Sequence, residues 1–227
     1  MKILQEITYY LLGKQIFTHI DSKDYVDWAV QVLENGFDSE NIRILAGLDN
    51  SDTEERLKYF QKSLDDLNIQ IPTDQNEILK DFTTKLANNV IAGFESPKAG
   101  LKIMLDIVRA SDYSGRFMQF MDLDEDIDYV MYSGKPLFNS GLHKDNIDEM
   151  IINEFKLFLQ IESSDYNIRE LSYCKHCDKA VKTELKKNFS IFKANRYNYW
   201  CCSICGSKDL IHGSSQEGKI LILKTMK

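Results

Sequence analysis

Cys174-Lys175-His176-Cys177 and Cys202-Ser203-Ile204-Cys205 are two cysteine pairs of identical spacing, with 24 residues between Cys177 and Cys202. Thiolates two residues apart reach one ion from a single tight turn, and two such turns supply the four corners of a tetrahedron. The predicted metal ligands are therefore Cys174, Cys177, Cys202 and Cys205. Adjacent residues in a strand face opposite ways, so only one of Cys201 and Cys202 can join Cys205 at the ion, and the spacing selects Cys202. Cys201 is then a buried thiol, and His176 an exposed turn residue. Gly206 directly follows Cys205, where a turn of this kind often needs a positive φ. Four sulfurs fill the coordination sphere and leave no place for an activated water, which predicts a structural ion and assigns no catalytic residue. Two rival readings are weaker. Cysteines used as small apolar residues have no need of matched spacings, and a thioredoxin-like redox pair wants a βαβ setting that this sequence lacks.

From Ile168 onward, β-branched and aromatic residues with frequent turn formers surround the cysteines. Residues 169–173, 190–194, 197–201 and 219–224 read as strands. Together these features resemble a zinc ribbon, over about residues 168–227. The separation of the pairs is longer than the roughly 15 to 20 residues of the commonest four-cysteine template and lengthens the central hairpin. The resemblance implies one structural Zn2+ ion held by Cys174, Cys177, Cys202 and Cys205.

Upstream the pattern is helical. Over residues 1–162 apolar residues return every three or four positions, and chain breakers recur about every fifteen. Ser22 is a plausible helix N-cap, Tyr25, Trp28, Ala29, Val32 and Leu33 follow it on one face, and Gly36 closes that helix. Asp38-Ser39 opens a short third helix, and Ser51 with Glu54 has capping-box spacing. Asp74 with Glu77 and Ser96-Pro97 open two more helices, with Gly93 ending the first of them. Phe117, Phe120 and Met121 suggest one or two short helices before a loop containing Gly134, Pro136 and Gly141. A last helix spans roughly 143–161. Seven to eight helices suffice to bury a single core. The predicted fold class is mainly α: an acidic multi-helix N-terminal domain, 1–165, followed by a small β zinc-ribbon module, 168–227.

Charge divides the same way. Residues 1–170 hold 17 basic and 31 acidic residues, whereas 171–227 hold 11 and 4, so a net charge of -7 averages -14 with +7. An acidic body suits a basic protein partner. The basic segment interleaves Lys186, Lys187, Lys193 and Arg196 with Tyr197, Tyr199 and Trp200, a pairing of phosphate-binding charge with base-stacking rings that suits single-stranded nucleic acid. Docking of this basic face onto the acidic body is a third possibility. A pI near 5.2 is the wrong sign for a dedicated nucleic-acid binder, so a protein partner is the first expectation and nucleic acid the alternative.

Other function classes find little support. The N-terminus has no secretory pattern, and the longest stretch without a charged residue or histidine is 197–207, far short of the roughly 20 apolar residues of a spanning helix. No membrane association and a cytoplasmic location are expected, a setting in which clustered cysteines hold metal rather than disulfides. The run Asp122, Asp124, Glu125, Asp126, Asp128 is no calcium loop, because Ile127 and Ser133 stand where glycine and glutamate belong, and helix capping or a solvated loop is expected instead. His19, His143, His176 and His212 show no paired spacing. Finally, Tyr25-Val26-Asp27-Trp28-Ala29, Gly36-Phe37-Asp38-Ser39, Leu45-Ala46-Gly47-Leu48, Ala92-Gly93-Phe94, Ser96-Pro97 and Gly100-Leu101 resemble segments of small bacterial helical proteins, some of which neutralise toxins. That resemblance implies an immunity-like inhibitor and carries over no functional residue.

Overall fold

The computed structural model describes residues 2–50, 52–164, 168–187 and 198–226. The chain opens with four helices, α1 (Lys2–Phe17), α2 (Lys23–Glu34), α3 (Glu40–Ala46) and α4 (Thr53–Asp66). They enclose a cluster that includes Leu11, Leu12, Trp28, Val32, Ile42, Leu45 and Phe60. Trp28 stacks edge-on against Phe60, with centroids 4.9 Å apart, and its indole N–H donates to Thr8 Oγ1 at 3.2 Å, so its one polar atom is satisfied in the core. Four further helices, α5 (Gln75–Ala92), α6 (Pro97–Ala110), α7 (Met118–Ser133) and α8 (Ile147–Glu162), surround a second cluster containing Phe82, Leu86, Met104, Phe120, Phe155 and Phe158.

Two clusters stand where one core was expected, and α1 explains the division. Its apolar residues spread over more than one face: Leu11 and Leu12 enter the first cluster, while Tyr10 meets Phe82 of the second at 5.1 Å. The helix is a shared wall. Among the described residues no helix is long and apolar enough to cross a membrane.

Most helix starts follow the sequence. Ser39 accepts from the Ile42 amide, Asp74 from that of Asn76, and Ser96 from that of Ala99 with Pro97 in the first turn. Ser22 does not cap; its hydroxyl accepts from Arg56 Nη1 at 2.7 Å. The cap of α4 is Asp52, which accepts from the Glu55 amide at 2.8 Å, and Ser51 lies outside the described residues. The short helices expected near residue 117 are one helix of 16 residues that carries the acidic run, because Leu123, Ile127 and Val130 continue the apolar stripe. The run is helical rather than a solvated loop, and its Asp126 is fully buried.

Among the described residues the C-terminal part has five strands, β1 (Ser172–Cys174), β2 (Lys179–Val181), β3 (Thr183–Lys187), β4 (Asn198–Cys202) and β5 (Leu210–His212), and a closing helix α9 (Gln216–Thr225). β1 lies between β2 and β5, antiparallel to both, while β3 pairs antiparallel with β4. A mainly α chain with a small β module is thus observed. Within it, the strand expected at 219–224 is helical. Ser215 caps it, accepting from the Gly218 amide at 3.1 Å, and Gln216, Lys219 and Ile222 are buried at three-residue intervals. A Cβ at Gly218 would collide with the His212 carbonyl, so only glycine lets α9 start this close to β5. The strand expected at 169–173 begins only at Ser172, after a 3-10 turn at Ile168–Glu170. The expected strand at 190–194 lies outside the described residues, as does Tyr197 at the start of the next.

Buried polar groups join α9 to the helices. Lys219 donates to Glu154 Oε1, both side chains being 1% exposed. Gln216 Nε2 donates to Glu154 Oε2 at 2.9 Å and to the Met150 carbonyl at 2.8 Å, while its backbone amide donates to Asn139 Oδ1 at 2.8 Å. Asn139 in turn donates through Nδ2 to Asp126 Oδ2 at 2.7 Å. Arg169 Nη1 approaches Asp122 Oδ2 at 2.9 Å without hydrogen-bond alignment. Each buried charge therefore has a partner, as burial in low dielectric requires. Among the described residues the module meets the helices through α9, which packs on α8, and through Arg169 of the 168–170 turn, which faces Asp122 of α7, while β3 and β4 contact chiefly each other.

Candidate metal centre

Cys174 ends β1, Cys202 ends β4, and Cys177 and Cys205 lie in the turns that follow. All four Sγ atoms fall within 4.8 Å of one another, and among the described residues this is the one cluster of three or more metal-binding side chains. Cys174 Sγ lies 3.7 Å from Cys205 Sγ, and Cys177 Sγ 3.8 Å from Cys202 Sγ. A disulfide is near 2.05 Å. Four thiolates about 2.3 Å from a tetrahedral ion are separated by about 3.8 Å, so the donor set fits a metal.

The two turns are built alike. The amide of Asp178 donates to the Cys174 carbonyl at 2.9 Å, and that of Gly206 to the Cys202 carbonyl at 2.9 Å. Asp178 and Gly206 both have positive φ, 53° and 74°. Gly206 takes this conformation freely, and aspartate is among the few other residues that tolerate it. The Ile204 amide points at Cys202 Sγ, 3.4 Å away. Cys202 feels burial first, which raises its pKa, but the backbone amides of Cys205 and Ile204 outweigh it and bring the thiol down to about 7. Cys177 goes the other way, pushed up to about 12 by hydrogen bonding with Cys205 and then by burial. Four crowded thiols share protons rather than ionise together, and a cation removes that conflict.

Cys201 is fully buried on the opposite side of β4, its thiol directed at the Glu184 carbonyl 3.6 Å away. His176 is exposed and outside the cluster. The basic aromatic face is less continuous than its sequence. Alternation along β4 sets Tyr199 across from Lys186 and Trp200 across from Leu185, on opposite faces. Lys186 pairs with Glu184 at 2.7 Å, the Lys208 ammonium sits 3.7 Å from the Tyr199 ring centroid, and Trp200 is 60% exposed. Lys187 is exposed at the end of β3, and Lys193, Arg196 and Tyr197 lie outside the described residues. The signal for Asp178 is its place directly after Cys177, equivalent to that of Gly206 after Cys205. The buried roles of Asp126 and Glu154 carry no local signal, because their partners are distant in the chain.

Comparison with protein families, curated proteins and solved structures returns no match.

Proposed function

We propose that the chain is a non-enzymatic interaction protein in which residues 168–227 are a ribbon held by one structural zinc ion and residues 1–165 present an acidic surface to a basic partner protein. Cys174, Cys177, Cys202 and Cys205 would hold the ion, and zinc would supply no reaction step but the cross-link that a module with so small a core needs. The observation that carries the reading is the sulfur cluster: a complete four-thiolate set is coordinatively closed. The excess of carboxylates over residues 1–170 supports the basic partner, for which an inhibitor of a basic toxin is one instance. The test is elemental analysis of the purified chain together with binding to a basic protein such as a nuclease at low and high salt. One zinc per chain and salt-weakened binding support the reading; zinc-free, fully folded protein or salt-insensitive binding contradicts it.

The second reading, nucleic-acid binding through the module, has a specific support in exposed Trp200 and in Lys179, Lys182 and Lys187, which have no ion-pair partner among the described residues. Salt-sensitive binding of single-stranded RNA that is lost in a Trp200→Ala, Lys187→Ala variant supports it; no binding at low salt removes it.

A further inference from the structure

The outward face of α7 combines charge and large apolar groups in an unusual way. Glu125, Asp128, Tyr129 and Tyr132 are exposed and follow helical spacing, so they form one stripe. Tyr132 is 95% exposed and Tyr129 49%. Beside the stripe stand Leu137 and Phe138, 51% and 41% exposed. Asp126 borders this face from the interior, and its two oxygens accept from the backbone amides of Leu137, Phe138 and Asn139 at 2.5, 2.8 and 2.8 Å. The loop that shows its apolar side chains to solvent is thus pinned to α7 by a fully buried side chain, and Asn139 ties the same point to α9 through Gln216.

Single exposed apolar residues are ordinary on any protein surface. Four large ones on one helix-loop corner, two of them fixed there by a buried carboxyl group, are not scattered, and ordered tyrosines are the side chains that anchor protein contacts. Loops held on a rigid scaffold are where binding groups concentrate. The local charge indicates the occupant. Between Arg116 and Lys144 the sequence holds five acids and one base, Lys135; Asp122 faces Arg169 and Asp126 is buried, which leaves Asp124, Glu125 and Asp128 to set the charge here. Asp124 has a pKa above the ordinary carboxylate value, first through burial and then through the charge of Asp128, with Arg109 only partly offsetting it. Added negative charge is opposed at this corner and positive charge is welcome.

We propose that the α7 corner, formed by Glu125, Asp128, Tyr129, Tyr132, Leu137 and Phe138, is the docking surface for the basic partner, which presents lysine or arginine beside apolar side chains. The proposal rests on the basic-partner reading above and locates it. The corner supplies a ring-lined apolar centre with a carboxylate rim, and Asp126 acts as a positioning residue that holds Leu137 and Phe138 in place.

The test is a random peptide library displayed on phage and selected on the full-length, zinc-loaded protein, followed by affinity measurement of the enriched peptides. Enriched sequences should carry lysine or arginine next to aromatic or aliphatic residues, and their binding should weaken as salt rises from about 50 to about 300 mM. A Glu125→Lys, Asp128→Lys, Tyr132→Ser variant replaces only exposed side chains and should bind about thirtyfold more weakly, the scale of one aromatic anchor. Asp126→Asn leaves every exposed group in place but loosens the loop, and should also lower affinity while far-UV circular dichroism stays helical. If basic peptides bind the triple variant as tightly as the parent protein, the corner is not the surface and the basic-partner reading alone survives. Enriched peptides without basic residues, or no enrichment, overturn both.

Discussion

The second helical cluster is packed from Phe82, Leu86, Met104, Phe120, Phe155 and Phe158, whereas the described C-terminal cluster buries Cys174, Val181 and Cys202, two of which are proposed metal ligands. Close-packed aromatic and aliphatic side chains stabilise the helices through burial alone. Among the described residues that cluster, with Cys177 and Leu210 packed against it, offers far less apolar burial to offset the conformational entropy of the strands around it. The difference teaches that the two regions call for different stabilising principles, burial for the helices and, on the proposed reading, a bound ion for the module, and buried polar groups join them: Lys219, Glu154 and Gln216 lie where α9 meets α8.

The comparison breaks first at the metal. Replacing Cys174 by serine should abolish ion binding and unfold β1, β2 and β5, because structural zinc contributes about 10–16 kcal/mol of apparent binding free energy in small zinc peptides. Hydrogen exchange of the backbone amides checks this: amides of β1 should lose protection while those of α5 and α8 keep theirs. Equal loss in both regions would show that helices and module share one unit of stability.

A smaller effect is expected at the boundary. Glu154→Gln or Lys219→Met alone leaves one buried charge without its partner and should destabilise by about 3–5 kcal/mol, whereas the double variant should recover most of the loss. Thermal unfolding of the four proteins of this cycle is the measurement. Additive losses would mean that the two side chains are not coupled as their contact implies.

The smallest effect concerns pH. Burial, and then the charge of Arg169, hold the His212 pKa below its ordinary 6.5. The unfolded chain therefore binds the proton more readily. Stability from neutral His212 is fully present above about 6.5 and is lost as pH falls through the lower folded value. Between pH 7.5 and about 5, the module in His212→Gln should lose less stability than the parent, compared by tryptophan fluorescence of Trp200. An identical pH dependence would remove His212 from the account.

What the sequence made legible was local. The cysteine spacing needs only two turns, and the caps at Ser39, Asp74 and Ser96 act within three residues of themselves. The misread helix α9 shows the limit. Ile220-Leu221-Ile222-Leu223 between lysines suits a strand or a helix, and the deciding groups, the Ser215 cap and the buried partner of Lys219, lie outside the run. β3 was invisible for the opposite reason, since Thr-Glu-Leu-Lys-Lys has no apolar face and is a strand only because β4 pairs with it. Asp126 was hidden by its company: among four other acids nothing local marks the one whose amide partners come 11 to 13 residues later.

The most direct test of the central claim is native mass spectrometry of the full chain, paired with the absorption spectrum after cobalt replaces the natural ion. The expected result is one zinc per chain, none in Cys174→Ser, full occupancy in Cys201→Ser, and cobalt bands of a tetrahedral four-sulfur site. A folded module with no bound metal, or ion binding that survives loss of Cys174 but not of Cys201, would contradict it.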